Sequence, residues 1–160
     1  MNGPYAKLGQ MYRFNETLLD MVSDGFGPDD WAARLGEGNS AHWILGHVAN
    51  ARSYLAARLG VELEKEAWQA LFAPGVDANE IDPGDYPAPA SLIADFKARG
   101  DDISRKLDAL TEEAASAEWK TFPHGDSSLG GGAHFLYMHE SYHLGQIGLV
   151  RRAVGRPGFI

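Results

Sequence analysis

Apolar residues recur at spacings of three and four in four stretches of the chain, the pattern of amphipathic helices that bury one face. The first stretch covers about residues 5–22. The second starts after Ser40, a favoured N-cap, and continues to Leu59, where Gly60 can end it. Because no convincing alternating strand pattern interrupts the four stretches, the sequence predicts an all-α protein.

The two later helices have equally clear boundaries. One opens at Pro89, a residue type favoured at the first helical position, and continues through Gly100, which weakens the helix without ending it. The other is capped by Ser127 or Ser128 and runs almost to Gly155. This last helix carries most of the chemically informative residues.

A long connection joins the second and third helices. It holds a short apolar turn at residues 67–72 and then a segment rich in glycine, proline and aspartate at residues 74–89. A connection of this length can carry the chain across a bundle instead of joining antiparallel neighbours. A further short helix is expected within residues 111–119. We therefore expect one domain, residues 1–160, built as a four-helix bundle with a crossover between helices 2 and 3.

Composition narrows the functional classes. No stretch approaches the roughly 18 apolar residues that indicate a membrane span, and the N-terminus lacks a basic segment followed by an apolar one, so we expect a cytoplasmic protein without membrane contact. The net charge of −8 argues against nucleic acid as a partner, because such binding depends on many lysine and arginine contacts. With no cysteine, the chain has neither a thiolate ligand nor a thiol nucleophile of its own.

Two histidines in the last helix are four residues apart. His139 and His143 therefore lie on one helical face, with roughly 6 Å between their Cβ atoms, and can chelate one ion. With Glu140 they also match H-E-x-x-H, the zinc protease signature in which the glutamate is a general base. Residues 144–160 contain no histidine, aspartate or glutamate to act as the downstream ligand, which argues against a protease.

The third ligand must then come from upstream. His47 is the best candidate, because it lies within the apolar stripe of the second helix; taken alone, it would be interpreted as a core histidine bonded to a backbone carbonyl. His42 and His134 each precede a proposed ligand by five residues, about 140° around a helix, so both are expected at surface or capping positions. His124, in a loop, is expected at the surface or at the rim of a pocket.

Four further residues are candidates for the surroundings of the ion. Asn50 and Tyr54 follow His47 by three and seven residues and so can line the same cavity, although helix packing explains Tyr54 equally well. Gln146, three residues after the histidine pair, can orient a ligand or a bound water. Glu140 is a candidate catalytic base if its helix faces the cavity obliquely, and the alternative is a surface carboxylate.

These residues resemble the DinB-like family, which includes the YfiT-type proteins regarded as metalloenzymes. Residues 43–47 (WILGH) look like the family's first ligand segment, and residues 139–147 (HESYHLGQI) look like its histidine-bearing last helix. Residues 12–15 and 85–87 resemble weaker landmarks, and the resemblance spans nearly the whole chain. It implies a four-helix bundle with non-sequential helix order, a three-histidine metal site and, frequently, a homodimer.

The expected metal site has an open side. Three imidazoles from two helices would leave part of the coordination sphere free for water or a small-molecule substrate, as in catalytic sites. Nitrogen ligands suit zinc or nickel, which we expect first, and also iron or cobalt. In some relatives, including mycothiol-dependent maleylpyruvate isomerases, a carboxylate replaces one ligand, so neither the metal nor the reaction transfers from them.

The resemblance and the open site favour a thiol-dependent S-transferase acting on a small electrophile. Its co-substrate would be a low-molecular-weight thiol such as bacillithiol, mycothiol or glutathione. Metal-dependent hydrolysis uses the same three ligands and is the first alternative. A non-catalytic stress-response protein that binds metal for stability or for sensing is the second.

Overall fold

The computed structural model describes residues 3–123 and 125–158. Apart from one isolated β-bridge between Glu118 and Ser128, every regular element within these residues is helical. The α-helices are α1 (Ala6–Ser23), α2 (Pro28–Ala32), α3 (Ala41–Arg58), α4 (Pro89–Asp108), α5 (Glu112–Ala115) and α6 (Leu129–Ala153). Helices α1, α3, α4 and α6 are the four predicted from the sequence.

The four long helices pack as a bundle. α1 and α3 each make their main contacts with both α4 and α6, so the first two long helices of the chain are not each other's main neighbours. Buried side chains fill the interior in two groups, one including Leu45 and Phe96 and the other including Tyr12 and Leu55. The predicted all-α bundle is confirmed. Among the described helices, none combines the length and apolarity needed to cross a membrane.

Capping residues set the helix boundaries where the sequence predicted them. Ser40 Oγ accepts a hydrogen bond from the Trp43 backbone N–H at 3.1 Å, and Ser128 Oγ accepts one from the first turn of α6 at 2.9 Å. Ser128, and not Ser127, is therefore the cap of α6. After α3, Gly60 adopts a φ of 80°, a left-handed conformation that glycine reaches without steric cost.

The long connection between α3 and α4 folds back onto the bundle. It contains three short 3₁₀ helices, Ala67–Phe72, Ala78–Glu80 and Pro83–Asp85, and the first of them is the predicted apolar turn. Phe72 is fully buried against α3. Gly46 makes this close approach possible, because a Cβ at position 46 would collide with the Phe72 ring. The connection is thereby anchored beside the middle of α3.

A buried arginine joins the four long helices. Arg52 of α3 is 1% exposed, and it donates to Glu140 of α6 through Nε at 2.7 Å and Nη2 at 2.8 Å. Its remaining N–H groups donate to Glu16 and to the carbonyl oxygens of Tyr12 on α1 and Phe96 on α4. All five guanidinium donors are thereby satisfied, which is the condition for burying this charge without a large penalty.

Gly100 in the middle of α4 provides the space for this network. A side chain at position 100 would collide with Glu16 and with the Arg52 guanidinium. The Phe96 ring, one turn earlier, lies under that guanidinium, with 3.5 Å between Arg52 Cζ and the ring centroid. As the sequence predicted, α4 continues through Gly100. The small residue is needed for packing, and its low helix propensity is the cost.

Removing the arginine should destabilise the bundle strongly. In Arg52→Met the Glu140 carboxylate stays buried without its partner, which should lower the free energy of unfolding by about 3–5 kcal/mol. Chemical denaturation followed by circular dichroism measures this loss. The double variant Arg52→Met/Glu140→Leu should recover much of it, because no uncompensated charge then stays in the core.

The matched control for this variant is Arg13→Met. Arg13 pairs with Asp101 on the surface, where the two side chains are 51% and 61% exposed. An exposed pair of this kind contributes about 1 kcal/mol or less. If Arg52→Met and Arg13→Met cost the same, the buried network does not hold the bundle together.

Candidate metal centre

Three imidazoles converge where α3 faces α6. His47 projects from α3, and His139 and His143 project from successive turns of α6. The Nε2 atom of His139 lies 3.2 Å from Nε2 of His47 and 3.1 Å from Nε2 of His143. The structure thus brings the three predicted ligands into one cluster that could hold a metal ion.

The separations between the nitrogens fit a shared ion. An ion about 2.0–2.1 Å from each nitrogen holds tetrahedral ligands roughly 3.3 Å apart, and adjacent octahedral ligands roughly 3.0 Å apart. The two distances from His139 Nε2, 3.1 and 3.2 Å, lie between these two values, and the three possible ligand atoms lie within 4.8 Å of one another. The side chains therefore need little movement to share one ion.

His47 is held on two sides. Its Nδ1 donates to the Phe72 carbonyl oxygen at 3.0 Å, and because a carbonyl can only accept, this nitrogen carries the proton. Trp43 stacks on the imidazole, with 4.9 Å between ring centroids and 11° between planes. Both contacts leave the lone pair of His47 Nε2 directed at the other two histidines.

Gln146 supports His143 in the same way. Its Oε1 accepts a hydrogen bond from His143 Nδ1 at 2.7 Å, while its Nε2 donates to the Tyr142 hydroxyl at 3.3 Å. The hydroxyl contact orients the amide so that its oxygen faces the imidazole. His143 therefore also presents an unprotonated Nε2 to the cluster, and Gln146 lies where the sequence analysis expected a residue that orients a ligand.

His139 has less support than its neighbours. Its Nδ1 is buried and makes no hydrogen bond to any residue that the structure describes. Without an ion, a proton on His139 Nε2 can be shared with the lone pairs of His47 and His143, whereas ligation requires that proton to move to Nδ1. Two of the three rings are thus fixed in the ligating tautomer and the third is not.

Burial keeps the cluster uncharged. Burial, together with the charges that His143 and His47 can carry, lowers the pKa of His139 to about 4. The pKa values of His47 and His143 are also lowered, again chiefly because burial disfavours the charged ring. All three rings are therefore neutral near pH 7, which is the form that binds a metal ion.

A cavity of about 610 Å³ lies beside the cluster, a size typical of sites for small ligands. His47 and His139 line it, and so do Asn50 and Tyr54, the two residues expected to share a cavity with His47. The opposite part of the wall comes from the segment before α6 and from its first turns, and it consists of Lys120, Thr121, Phe122, Pro123, Phe135 and Leu136.

Glu140 lies in an environment that neither interpretation of the sequence anticipated. Its side chain is 2% exposed, so the interpretation of Glu140 as a surface carboxylate is wrong. Both of its oxygens accept hydrogen bonds from Arg52, and Oε1 also accepts one from Asn15. The physical reason is helix rotation, since a side chain about 100° from His139 points into the bundle when His139 points to the cavity. This geometry does not favour Glu140 as a base at the metal.

The other described histidines lie outside the cluster. His42 was expected at the surface or at a cap, but it is half-buried, with its Nε2 bonded to the Pro87 carbonyl oxygen at 2.8 Å. His134 is exposed and its Nδ1 bonds to the Gly130 carbonyl oxygen at 2.9 Å. His124 lies outside the described residues, so its expected place at the surface or pocket rim stays a prediction.

The sequence model of the DinB superfamily matches residues 11–147. The chain belongs to the DinB superfamily. The matched region contains the three clustered histidines and also the Arg52–Glu140 pair, so the family resemblance noted in the sequence is confirmed. No curated protein matches the chain.

Sequence reasoning missed two residues that shape this DinB-superfamily centre. The sequence contains one signal for Arg52, because this charged residue lies within the apolar stripe of α3. It follows Val48 by four positions and precedes Leu55 by three. Phe72 contributes through its backbone carbonyl, which no side-chain pattern reveals. The first could have been found from the helical pattern, and the second needed the tertiary structure.

Metal-free protein should lose stability as the pH falls. The pKa values of the three clustered histidines are lower in the folded protein than the unfolded value of about 6.5, so the unfolded chain binds more protons in this range. The free energy of unfolding should be highest above about pH 6.5 and should decline toward the His139 pKa of about 4. Urea denaturation of chelator-treated protein across this range measures the slope.

The variant His139→Gln should make the free energy of unfolding less dependent on pH, because it removes the histidine whose pKa is lowered to about 4. NMR titration of histidine Cε1–H resonances gives a direct comparison. A His139 midpoint near the ordinary histidine value would contradict the effect assigned to burial.

Proposed function

We propose that this chain is a metal-dependent enzyme whose ion is held by His47, His139 and His143. The observation that carries the proposal is the convergence of three imidazoles: His139 Nε2 lies 3.1–3.2 Å from the Nε2 atoms of His47 and His143, and the three possible ligand atoms lie within 4.8 Å of one another. Fixed acceptors for the Nδ1 protons of His47 and His143 support it, because metal-ligating histidines usually have such partners. Three protein ligands also leave coordination positions free, as in catalytic zinc sites.

Zinc or nickel is the proposed ion, with iron and cobalt as alternatives. Imidazole nitrogen suits all four metals. Within the described part of the chain no carboxylate or thiolate joins the cluster, so the donor set does not narrow the choice further. Metal supply in the cell would then decide the occupant.

The proposed reaction is S-transfer from a low-molecular-weight thiol to a small electrophile. When bound, a divalent ion supplies the Lewis acidity that lowers the pKa of a coordinated thiol. The Phe72 carbonyl and Gln146 hold two imidazoles in the ligating orientation. Asn50, which lines the cavity, can orient a polar group of the substrate. The sulfur forms a C–S bond as the leaving group departs, and the thiol proton passes to solvent.

The lack of an available base favours a thiol over water as nucleophile. No carboxylate is among the described residues that line the cavity, and both oxygens of Glu140 are occupied by Arg52. A thiol with a pKa of about 8.5 needs less help to ionise than water, whose pKa is far higher. The chain has no cysteine, so the sulfur must come from a separate molecule such as bacillithiol, mycothiol or glutathione.

Metal-dependent hydrolysis is the second candidate, because the same open positions can activate water. A non-catalytic metal-binding role in a stress response is the third. The open cavity of about 610 Å³ beside the cluster favours catalysis over this last role, since a metal kept only for stability needs no access for a ligand.

The homodimer implied by the family is also a proposal. Met138, Tyr142 and Leu149 lie on one stripe of α6 and are 53%, 62% and 57% exposed. Large apolar side chains grouped in this way are typical of surfaces that another protein covers. A second copy of the chain on this stripe would contact Tyr142, the hydroxyl partner of Gln146.

Protein purified without a histidine tag should contain about one metal ion per chain. The variants His47→Ala, His139→Ala and His143→Ala should each lose it, because every one removes a third of the proposed ligands. Gln146→Leu should keep the ligands but weaken affinity about 10–100-fold, since it removes the acceptor that orients His143. Elemental analysis and competition with a chelating dye measure both effects.

His134→Ala is the matched control for these variants, because it removes an exposed histidine outside the cluster. It should keep the full metal content, and circular dichroism checks that all variants fold. If the purified protein holds no metal and binds neither added zinc nor added nickel, the proposed function is wrong.

Metal-loaded protein should accelerate formation of a thiol adduct with an electrophile such as monochlorobimane, whose adduct is fluorescent. Bacillithiol, mycothiol and glutathione are supplied separately, and the rate should fall to background after chelation and in His143→Ala. Turnover of an ester without any thiol would support hydrolysis instead. Metal-dependent thermal stabilisation with neither activity would support the non-catalytic role.

A further inference from the structure

Among the described residues, the wall of the cavity beside the histidines carries positive charge only. Lys120 is the only charged side chain, histidines apart, among the described residues that line it. The chain as a whole has 22 acidic and 14 basic residues, so an average surface would place carboxylates here. Their absence from this lining, together with a lysine, gives the cavity wall a positive group with no described carboxylate beside it, within an acidic protein.

Lys120 is held over the cavity by aromatic rings. Its Nζ lies 4.9 Å from the centroid of the Tyr54 ring and 5.1 Å from that of the Phe122 ring. No carboxylate of the described residues pairs with Lys120. Its charge is therefore positioned by the ring faces and is available to an anion that enters.

The rest of the lining is mostly apolar. Tyr54 and Phe122 both pack on Trp119, with ring centroids 5.2 Å apart in each case, so these rings support one another. Pro74 from the long connection and Leu136 from α6 extend the apolar surface. A ligand that fits this wall needs a hydrophobic body as well as a negative group.

Asn50 adds a neutral polar group to the same wall. Its side chain makes no hydrogen bond to another described residue, and it lies one turn after His47. An amide of this kind can donate to one oxygen of a carboxylate. Cation and amide are the groups expected where a small organic acid is bound.

We propose that this cavity binds a small organic carboxylate with an aromatic or branched aliphatic body. The carboxylate is held by Lys120, with Asn50 as a further donor, and the body lies against Tyr54 and Phe122. The inference deepens the proposed function, since it names the class of electrophilic substrate that would be presented to the histidine centre. Binding of the carboxylate itself depends on the cavity wall and not on an ion.

The test uses 4-phenylbutyrate and its neutral amide as probes, titrated by isothermal calorimetry into the full-length protein as purified and again after chelation. The acid should bind more tightly than the amide in both preparations. Lys120→Met keeps the aliphatic stem but removes the charge, so it should weaken binding of the acid about tenfold while leaving the amide unchanged. A higher salt concentration should weaken binding of the acid and leave binding of the amide unchanged.

Two further variants locate the effect. Lys7→Met makes the same change of net charge at an exposed position outside the cavity lining and should leave both probes unaffected. Tyr54→Ala should weaken both probes, because it removes ring surface that either body contacts, and should weaken the acid more, because the same ring positions Lys120. Backbone amide shifts of Asn50 and Tyr54 on addition of the acid report binding within the cavity.

Equal affinity for acid and amide would overturn the inference, and so would unchanged binding of the acid by Lys120→Met or no detectable binding of the acid. The two proposals fail separately. A protein that binds no metal but binds the acid through Lys120 refutes the proposed enzyme and keeps the carboxylate site. A metal-loaded protein that forms thiol adducts but binds the acid and the amide equally supports the proposed enzyme and refutes the carboxylate site.

Discussion

The buried charge of Arg52 constrains the bundle more tightly than its apolar core can. Apolar side chains tolerate small sliding and rotation, whereas a guanidinium out of water must keep all five N–H groups bonded. Glu140 is the residue after His139 in α6, and Arg52 lies five residues after His47 in α3. The ion pair therefore sets the rotation of α6 against α3. The same rotation directs His139 and His143 toward His47, so the geometry of the candidate centre depends on a polar contact made by a neighbouring face of the same helix.

Local signals were sufficient for the four long helices and for the histidine pair of α6. Serine caps at Ser40 and Ser128, the proline that opens α4 and the glycine after α3 act within one helical turn, so the sequence shows them directly. His139 and His143 share a face because of helical periodicity alone. His47 required a further step, namely that two apolar stripes in one bundle face each other.

What the sequence did not reveal depends on absolute orientation and on distant chain segments. A helical wheel shows Glu140 about 100° from His139 but not which of the two faces the core. This is why the sequence left a catalytic base and a surface carboxylate as the two interpretations of a residue that is buried in the bundle. Lys120 lies beside the cavity only because the segment before α6 folds across Tyr54. The superfamily match covers these residues as well, yet its residue pattern does not state which contacts they make.

The hydrogen bond from His47 to Phe72 has a consequence for the life of the protein in the cell. Its acceptor belongs to the connection between α3 and α4, whose regular structure within the described residues consists of three short 3₁₀ helices. An ion that favours the ligating tautomer of His47 also favours an ordered Phe72 carbonyl acceptor. Binding of the ion and ordering of the connection would therefore be thermodynamically coupled, and each would favour the other by the same free energy. Chains that lack the ion would open this segment more often and meet proteases first.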